Sequence, residues 1–172
     1  NNFINLFTLE ADQVVWDSED YWAAPYELLI KFGGDSEDFA ISKLAMLEMM
    51  GVPKKNLFLA YVKQKKMSSS PIMVLVWLND DQTESWVLDH IEKRIFTGKQ
   101  RTDLLAFYLT DVDGNLVLPK EINGQRVIRA ELPNRTLKKL EDVKFRAREI
   151  RKKYEHYNNG RPLFLETNSK LW

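Results

Sequence analysis

The run Gly33-Gly34-Asp35-Ser36-Glu37-Asp38 sets one hydroxyl among three carboxylates, where a glycine turn gives way to a long apolar segment. A serine at a helix N-terminus is a candidate nucleophile, because the free N–H groups there favour developing negative charge. Its acidic neighbours leave two readings open. Acids in a first helical turn cap free N–H groups and complement the helix dipole. Asp35, Glu37 and Asp38 are also candidate ligands for calcium, which takes about six to eight oxygens and would need carbonyls, water or another loop to complete its shell. A base for the serine is harder to find. The chain has two histidines, His90 and His156, and no cysteine, so thiol catalysis, disulfides and thiolate metal sites are all excluded. His90 follows Asp89 in a strand-like run, where adjacent side chains leave opposite faces. His156 lies in a charged C-terminal segment and reads as a surface residue. Asp111-Val112-Asp113-Gly114-Asn115 opens like a calcium loop but lacks the downstream bidentate glutamate, and a hairpin turn is expected there instead.

The elements that would carry these groups can be read from periodicity. Phe3, Ile4, Leu6 and Phe7 fall on one side of a short helix within residues 1 to 10. Pro25 opens a helical turn running through Glu27 and Leu29. Asp35 is the expected N-cap of the next helix, with Asp38 at its third position, and Gly51, Val52 and Pro53 stop it. Its apolar residues go almost all the way round, the mark of a helix buried among other elements. Strand-like runs follow at 57–63, 72–78, 85–90, 104–110, 116–118 and 126–132, joined by Asn/Asp/Gly turns, which favours an antiparallel sheet. A last helix is expected from Thr136 to about Tyr157, with Leu137, Leu140, Val143, Ala147, Ile150 and Tyr154 as its apolar stripe. Its interleaved basic and acidic residues read as a solvated face. The expected class is α+β, a buried helix packed on an antiparallel sheet with additional helices.

Composition sets the limits. With 172 residues, 44% apolar and 12% aromatic, the chain reads as a single globular domain spanning 1–172. Basic and acidic residues balance at 25 each, which provides no field for nucleic acid. No apolar run approaches the roughly 18 residues of a membrane span. A start at Asn1 reads as a processed or trimmed one, with any export signal already removed.

The ordered set "DYWAAPYELL" (20–29), "GGDSEDFAISKLAMLEMMGVP" (33–53), "IMVLVW" (72–77), "WVLDHIEKRI" (86–95), "RTDLLAFY" (101–108) and "GNLVL" (114–118) resembles the bacterial transglutaminase-like cysteine peptidases. That resemblance implies a papain-like fold and a periplasmic or cell-envelope setting. It also implies a calcium-dependent activity that cuts adhesins from the surface of biofilm bacteria. The segment 120–172 corresponds only weakly and stands as a C-terminal extension.

Carried over residue by residue, the resemblance puts Ser36 at the cysteine nucleophile, Ile72 at the histidine base and Asp89 at the aspartate that orients it. The acids beside the nucleophile, Asp35, Glu37 and Asp38, fall at calcium-binding positions. Trp16, Tyr21 and Trp22 fall in a loop that can border a substrate cleft, although such aromatics are also ordinary core residues. Ser36 alone could be an engineered or natural cysteine replacement, but isoleucine moves no proton, and an unassisted serine is a poor nucleophile. The expectation is therefore a catalytically inactive homologue that works by binding a protein or peptide, either a surface adhesin or a membrane receptor of a cyclic-dinucleotide signal. The alternative is an active hydrolase that uses Ser36 with another base.

Overall fold

The structure is a computed structural model and describes residues 1–65, 70–117 and 134–157. After a 3-10 turn at Ile4–Leu6, the chain forms β1 (Thr8–Leu9), α1 (Asp12–Val15), α2 (Pro25–Lys31), β2 (Gly33–Gly34) and α3 (Ser36–Met49). A second 3-10 turn, Lys54–Asn56, leads into β3 (Leu57–Gln64), β4 (Ile72–Leu78), β5 (Ser85–Leu88), β6 (Phe96–Thr97), β7 (Leu104–Thr110) and β8 (Leu116–Val117). The last described element is α4 (Asn134–Tyr157).

Six strands pair antiparallel in the order β6-β5-β4-β3-β7-β8. Alternation divides them cleanly. Leu57, Leu59, Met73, Leu75 and Leu88 face α3 and α4, where they meet Ala40, Ile41, Leu44, Leu140, Val143 and Trp22. Phe58, Ala60, Val62, Val74, Val76, Val87 and Leu109 form the opposite apolar face. The mixed fold, with α3 buried on an antiparallel sheet, is thus as the sequence predicts.

α3 starts where expected. Asp35 accepts hydrogen bonds from the N–H groups of Glu37 (3.0 Å) and Asp38 (3.4 Å), and Asp38 reaches back to the N–H of Asp35. It stops at Gly51, whose φ of +93° suits glycine.

Some details depart from the sequence reading. The only helical turn in the first ten residues is the 3-10 turn at Ile4–Leu6. Thr8 and Leu9 then pair parallel with Gly33 and Gly34, because so short a run gains more from this ribbon than from an isolated helix. Only Ile4 and Phe7 of its apolar set pack inward, on Leu28 and Phe39, while Phe3 and Leu6 are exposed. The third strand ends at Leu88 rather than at 90, because the Asp89 carboxylate captures the N–H groups of Ile91 (2.9 Å) and Glu92 (2.6 Å) and turns the chain. The N-terminal turn is tied to this corner: Asn5 donates to the Asp89 carbonyl at 2.9 Å and Asn1 to the Lys93 carbonyl at 3.0 Å.

The 111–115 segment is a hairpin turn between β7 and β8, with Asp111 accepting from the N–H groups of Asp113 (2.9 Å) and Asn115 (2.8 Å). α4 is not merely a solvated face: Lys139, Lys144 and Arg146 pair with Asp20, Asp113 and Glu27, whereas Lys138, Arg148, Lys152 and Lys153 are exposed. The expected strand 126–132 and the rest of the extension outside α4 lie outside the described residues, as does the side chain of His156.

At Gly34 a Cβ would run into the Asp38 carboxylate and the Leu28 side chain, both fully buried. Gly34→Ala should therefore cost about 1–3 kcal/mol through overpacking. The urea midpoint measures this, and an unchanged midpoint would mean that the β2–α3 junction is looser than described.

Candidate functional site

Ser36 is buried at the first turn of α3, in the space beside β4 that β5 leaves when it ends at Leu88. Its hydroxyl donates to Glu37 Oε2 at 2.5 Å and accepts the N–H of Met73 at 3.1 Å. Ile72, one residue before that amide, is half-buried and packs with the sheet face carrying Val62, Val74 and Val76. Met73 faces the opposite way, into the core under α3.

Asp89 is buried and already engaged. Besides the two turn amides, it pairs with Arg101, whose guanidinium also grips Asp103 through two bonds of 2.9 Å. Among the described residues no imidazole approaches Ser36 in the manner of a base. His90 lies edge-on to Phe39 with ring centroids 6.1 Å apart, burial lowers its pKa, and its Nδ1 is buried with no partner. Beside it, the buried Lys43 donates to the Asp89 carbonyl at 2.8 Å and is lowered to about 8 by burial. The three positions that the sequence resemblance assigns to a catalytic triad are thus a hydroxyl held by two partners, an aliphatic side chain, and a carboxylate that serves as a turn cap and ion pair.

The carboxylates gather differently from the triplet. Asp35 and Asp38 are joined by Asp12 of α1, and one ligand oxygen from each lies within 4.8 Å of the others. Glu37 is outside this group and holds the Ser36 hydroxyl instead. Asp12 is 5% exposed, its Oδ2 takes the N–H of Tyr21 at 2.5 Å, and its Oδ1 is buried with no partner. Sequence reading missed Asp12 because it stands 23 residues before Asp35, in a segment with no motif of its own.

Asp38 accepts from the N–H of Ala23 (2.6 Å) and the indole of Trp16 (3.2 Å). Trp22 is buried in the core, and the Trp16 and Tyr21 rings meet at a tilt of 33° with centroids 4.8 Å apart. Trp16 and Tyr21 therefore border the acidic cluster, through an indole and a backbone N–H, while Trp22 is a core residue.

Burial dominates the electrostatics. It pushes Asp35 up to about 9, helped by the charges of Glu37, Asp38 and Asp12, and Asp38 up to about 7 against the bond from Ala23. It raises Asp12 and Glu37 as well. Lys139 pairs with Asp20 rather than entering the cluster. An all-oxygen set with an orphaned buried lone pair and uncompensated charge fits a hard divalent cation.

A sequence model of the bacterial transglutaminase-like cysteine proteinases matches residues 1–104. The chain belongs to this family. Among solved structures it is similar to calcium-bound LapG of Legionella pneumophila, at 31% identity and a TM-score of 0.66, over 85% of this chain and 75% of that one. The same organism's LapG matches in a second structure at 30% identity and TM-score 0.67, over 84% of this chain and 73% of the other. An EGTA-treated LapG matches at 29% and 0.67, over 84% and 74%. No curated protein matches. Membership in the proteinase family accounts for the sheet-and-helix arrangement that brings Ser36 to the start of β4. It also makes the absence of cysteine a departure in chemistry rather than in fold.

The raised carboxyls set a sign for pH dependence. Between their unfolded values near 4 and their folded ones, the folded chain holds more protons than the unfolded chain, so stability falls as pH rises. In a chelating buffer, the melting temperature should be lower at pH 8 than at pH 6.5, a window in which Asp35 and Asp38 carry the difference. Asp12→Asn should flatten the slope and raise the melting temperature at pH 8. A wild-type melt that rises across this window would contradict the assignment.

Proposed function

We propose that this chain is a catalytically inactive member of its peptidase family, acting by binding a protein or peptide at the cell envelope, with calcium held at the Asp12–Asp35–Asp38 cluster and Glu37 beside it. The observation that carries the first half is the state of Ser36. Its hydroxyl is fixed between Glu37 and the Met73 N–H, and residue 72 supplies no base. General-base assistance is worth about 10²–10⁴-fold, so its loss alone removes most hydrolytic rate. The calcium half is supported by the orphaned Asp12 oxygen and by a similar LapG described as calcium-bound. The candidate partners are a surface adhesin or matrix-protein segment, or a membrane receptor that sequesters active relatives. Among the described residues no helix is long and apolar enough to cross a membrane.

One observation favours a second reading. The 2.5 Å bond gives Ser36 a carboxylate acceptor, so Glu37 could serve an active serine hydrolase as its base. A serine-directed fluorophosphonate separates the two. Labelling of Ser36 that Glu37→Gln abolishes would establish the hydrolase, whereas folded protein that stays unlabelled supports the inactive homologue.

The unmodified chain should leave an adhesin segment intact in a proteolysis assay. Cleavage by the unmodified chain would overturn the reading. Calcium at about a hundred times its dissociation constant should add about 2.7 kcal/mol over chelator in a thermal melt. Asp35→Asn combined with Asp12→Asn should remove that gain, and an equal gain in the double variant would sink the cation site.

A further inference from the structure

The loop between α1 and α2 is bonded on two sides through the same peptide groups. In the unit joining residues 20 and 21, the Tyr21 N–H meets Asp12 Oδ2 at 2.5 Å, while the Asp20 carbonyl accepts from Lys139 of α4 at 2.7 Å. In the unit joining residues 22 and 23, the Ala23 N–H meets Asp38 Oδ1 at 2.6 Å, while the Trp22 carbonyl accepts from the Arg146 guanidinium. A peptide unit is planar and stiff, so moving its carbonyl moves its N–H. A cation on the carbonyl oxygen also polarises the unit and makes the N–H a stronger donor, as in hydrogen-bond chains.

The two basic side chains are themselves well seated. Lys139 also pairs with Asp20 and lies 5.7 Å from the Trp22 ring centroid. Arg146 reaches Glu27 at 3.3 Å and lies 4.6 Å over the Tyr21 ring. Leu140 and Val143, on the same helix, are buried in the core with Trp22.

We propose that Lys139 and Arg146 are positioning residues for the acidic cluster. Through peptide units 20–21 and 22–23 they orient the N–H groups that keep the Asp12 and Asp38 carboxyls aimed inward, so that docking of α4 raises the cluster's affinity for a divalent cation. The inference rests on the cation reading above, and on Asp12 Oδ1 being buried in the cluster without a partner. Coupling is reciprocal: cation binding tightens α4, and a partner that lifts α4 away releases the cation. The family match ends at residue 104, so this control lies in a part of the chain beyond it.

The sign is opposite to that of simple electrostatics. Deleting a positive charge near a cation site should by charge alone tighten binding, whereas losing this relay weakens it. Calcium titration of the full chain by calorimetry should give a dissociation constant at least about fivefold weaker for Arg146→Ala, and near wild type for Arg146→Lys, which keeps a cation on the Trp22 carbonyl. An Arg146→Ala constant that is unchanged or tighter overturns the proposal.

Amide hydrogen exchange in chelator tests the relay without calcium. Protection of the Tyr21 and Ala23 amides should fall in Arg146→Ala, while the β4 amides Val74 and Leu75 keep theirs. Unchanged protection at Ala23 overturns the relay. Absence of calcium binding by the unmodified chain, with protection at Ala23 still dependent on Arg146, would instead discard the cation reading and keep the coupling. If Arg146→Ala does not fold, Arg146→Gln takes its place under the same criteria.

Discussion

Asp38 has no exposure to solvent, and its two oxygens take N–H groups from Ala23, Trp16 and its own helix start at Asp35. That one carboxylate fixes the entry of α3 and the path of the loop before α2. It also fills the space a side chain at position 34 would need, which leaves room there only for glycine. A buried carboxylate is costly unless its lone pairs are filled, and leaving one such group unsatisfied typically costs about 1–3 kcal/mol. The surrounding structure answers that requirement almost bond by bond. The exception is Asp12, whose second oxygen has none, and this is why the cluster reads as a site and not only as a cap.

The cap reading and the ligand reading, which the residues left open, turn out to be compatible. Asp35 and Asp38 do the capping, as their positions in the first turn require. The same geometry packs their charges against that of Asp12, and burial then keeps all three from ionising freely. Ser36 sits on the other side of this turn. It is held by Glu37 and by an amide of β4, a position suited to a nucleophile and bound up with hydrogen bonds.

α3 and the sheet were legible because local chemistry and periodicity agree there: an acidic N-cap, an apolar run, a glycine stop, then strands punctuated by turns. The class and the family could be read for the same reason. What escaped was long-range. Asp12 joins the cluster only through the fold of a loop whose polar residues carry no period. Asp89 ended a strand early by capping its own turn, a competition between side chain and ladder that alternation does not register. Phe3 and Leu6 look apolar and inward in a helical projection, yet a ribbon with two glycines took the backbone instead. Lys139 and Arg146 of α4 looked solvated because their partners lie more than a hundred positions upstream, at Asp20 and Glu27.

The N-terminal turn joins its corner across long stretches of chain, with Asn5 and Asp89 separated by 84 positions and Asn1 and Lys93 by 92. Contacts of that span are slow to form, because the intervening loop must close before they reward it. During synthesis residues 1–7 cannot take their places until β5 and the turn after it have followed. The opening segment therefore waits with Phe3, Ile4 and Phe7 uncovered, a stretch to which a chaperone or a neighbouring nascent chain has access before the protein's own sheet does.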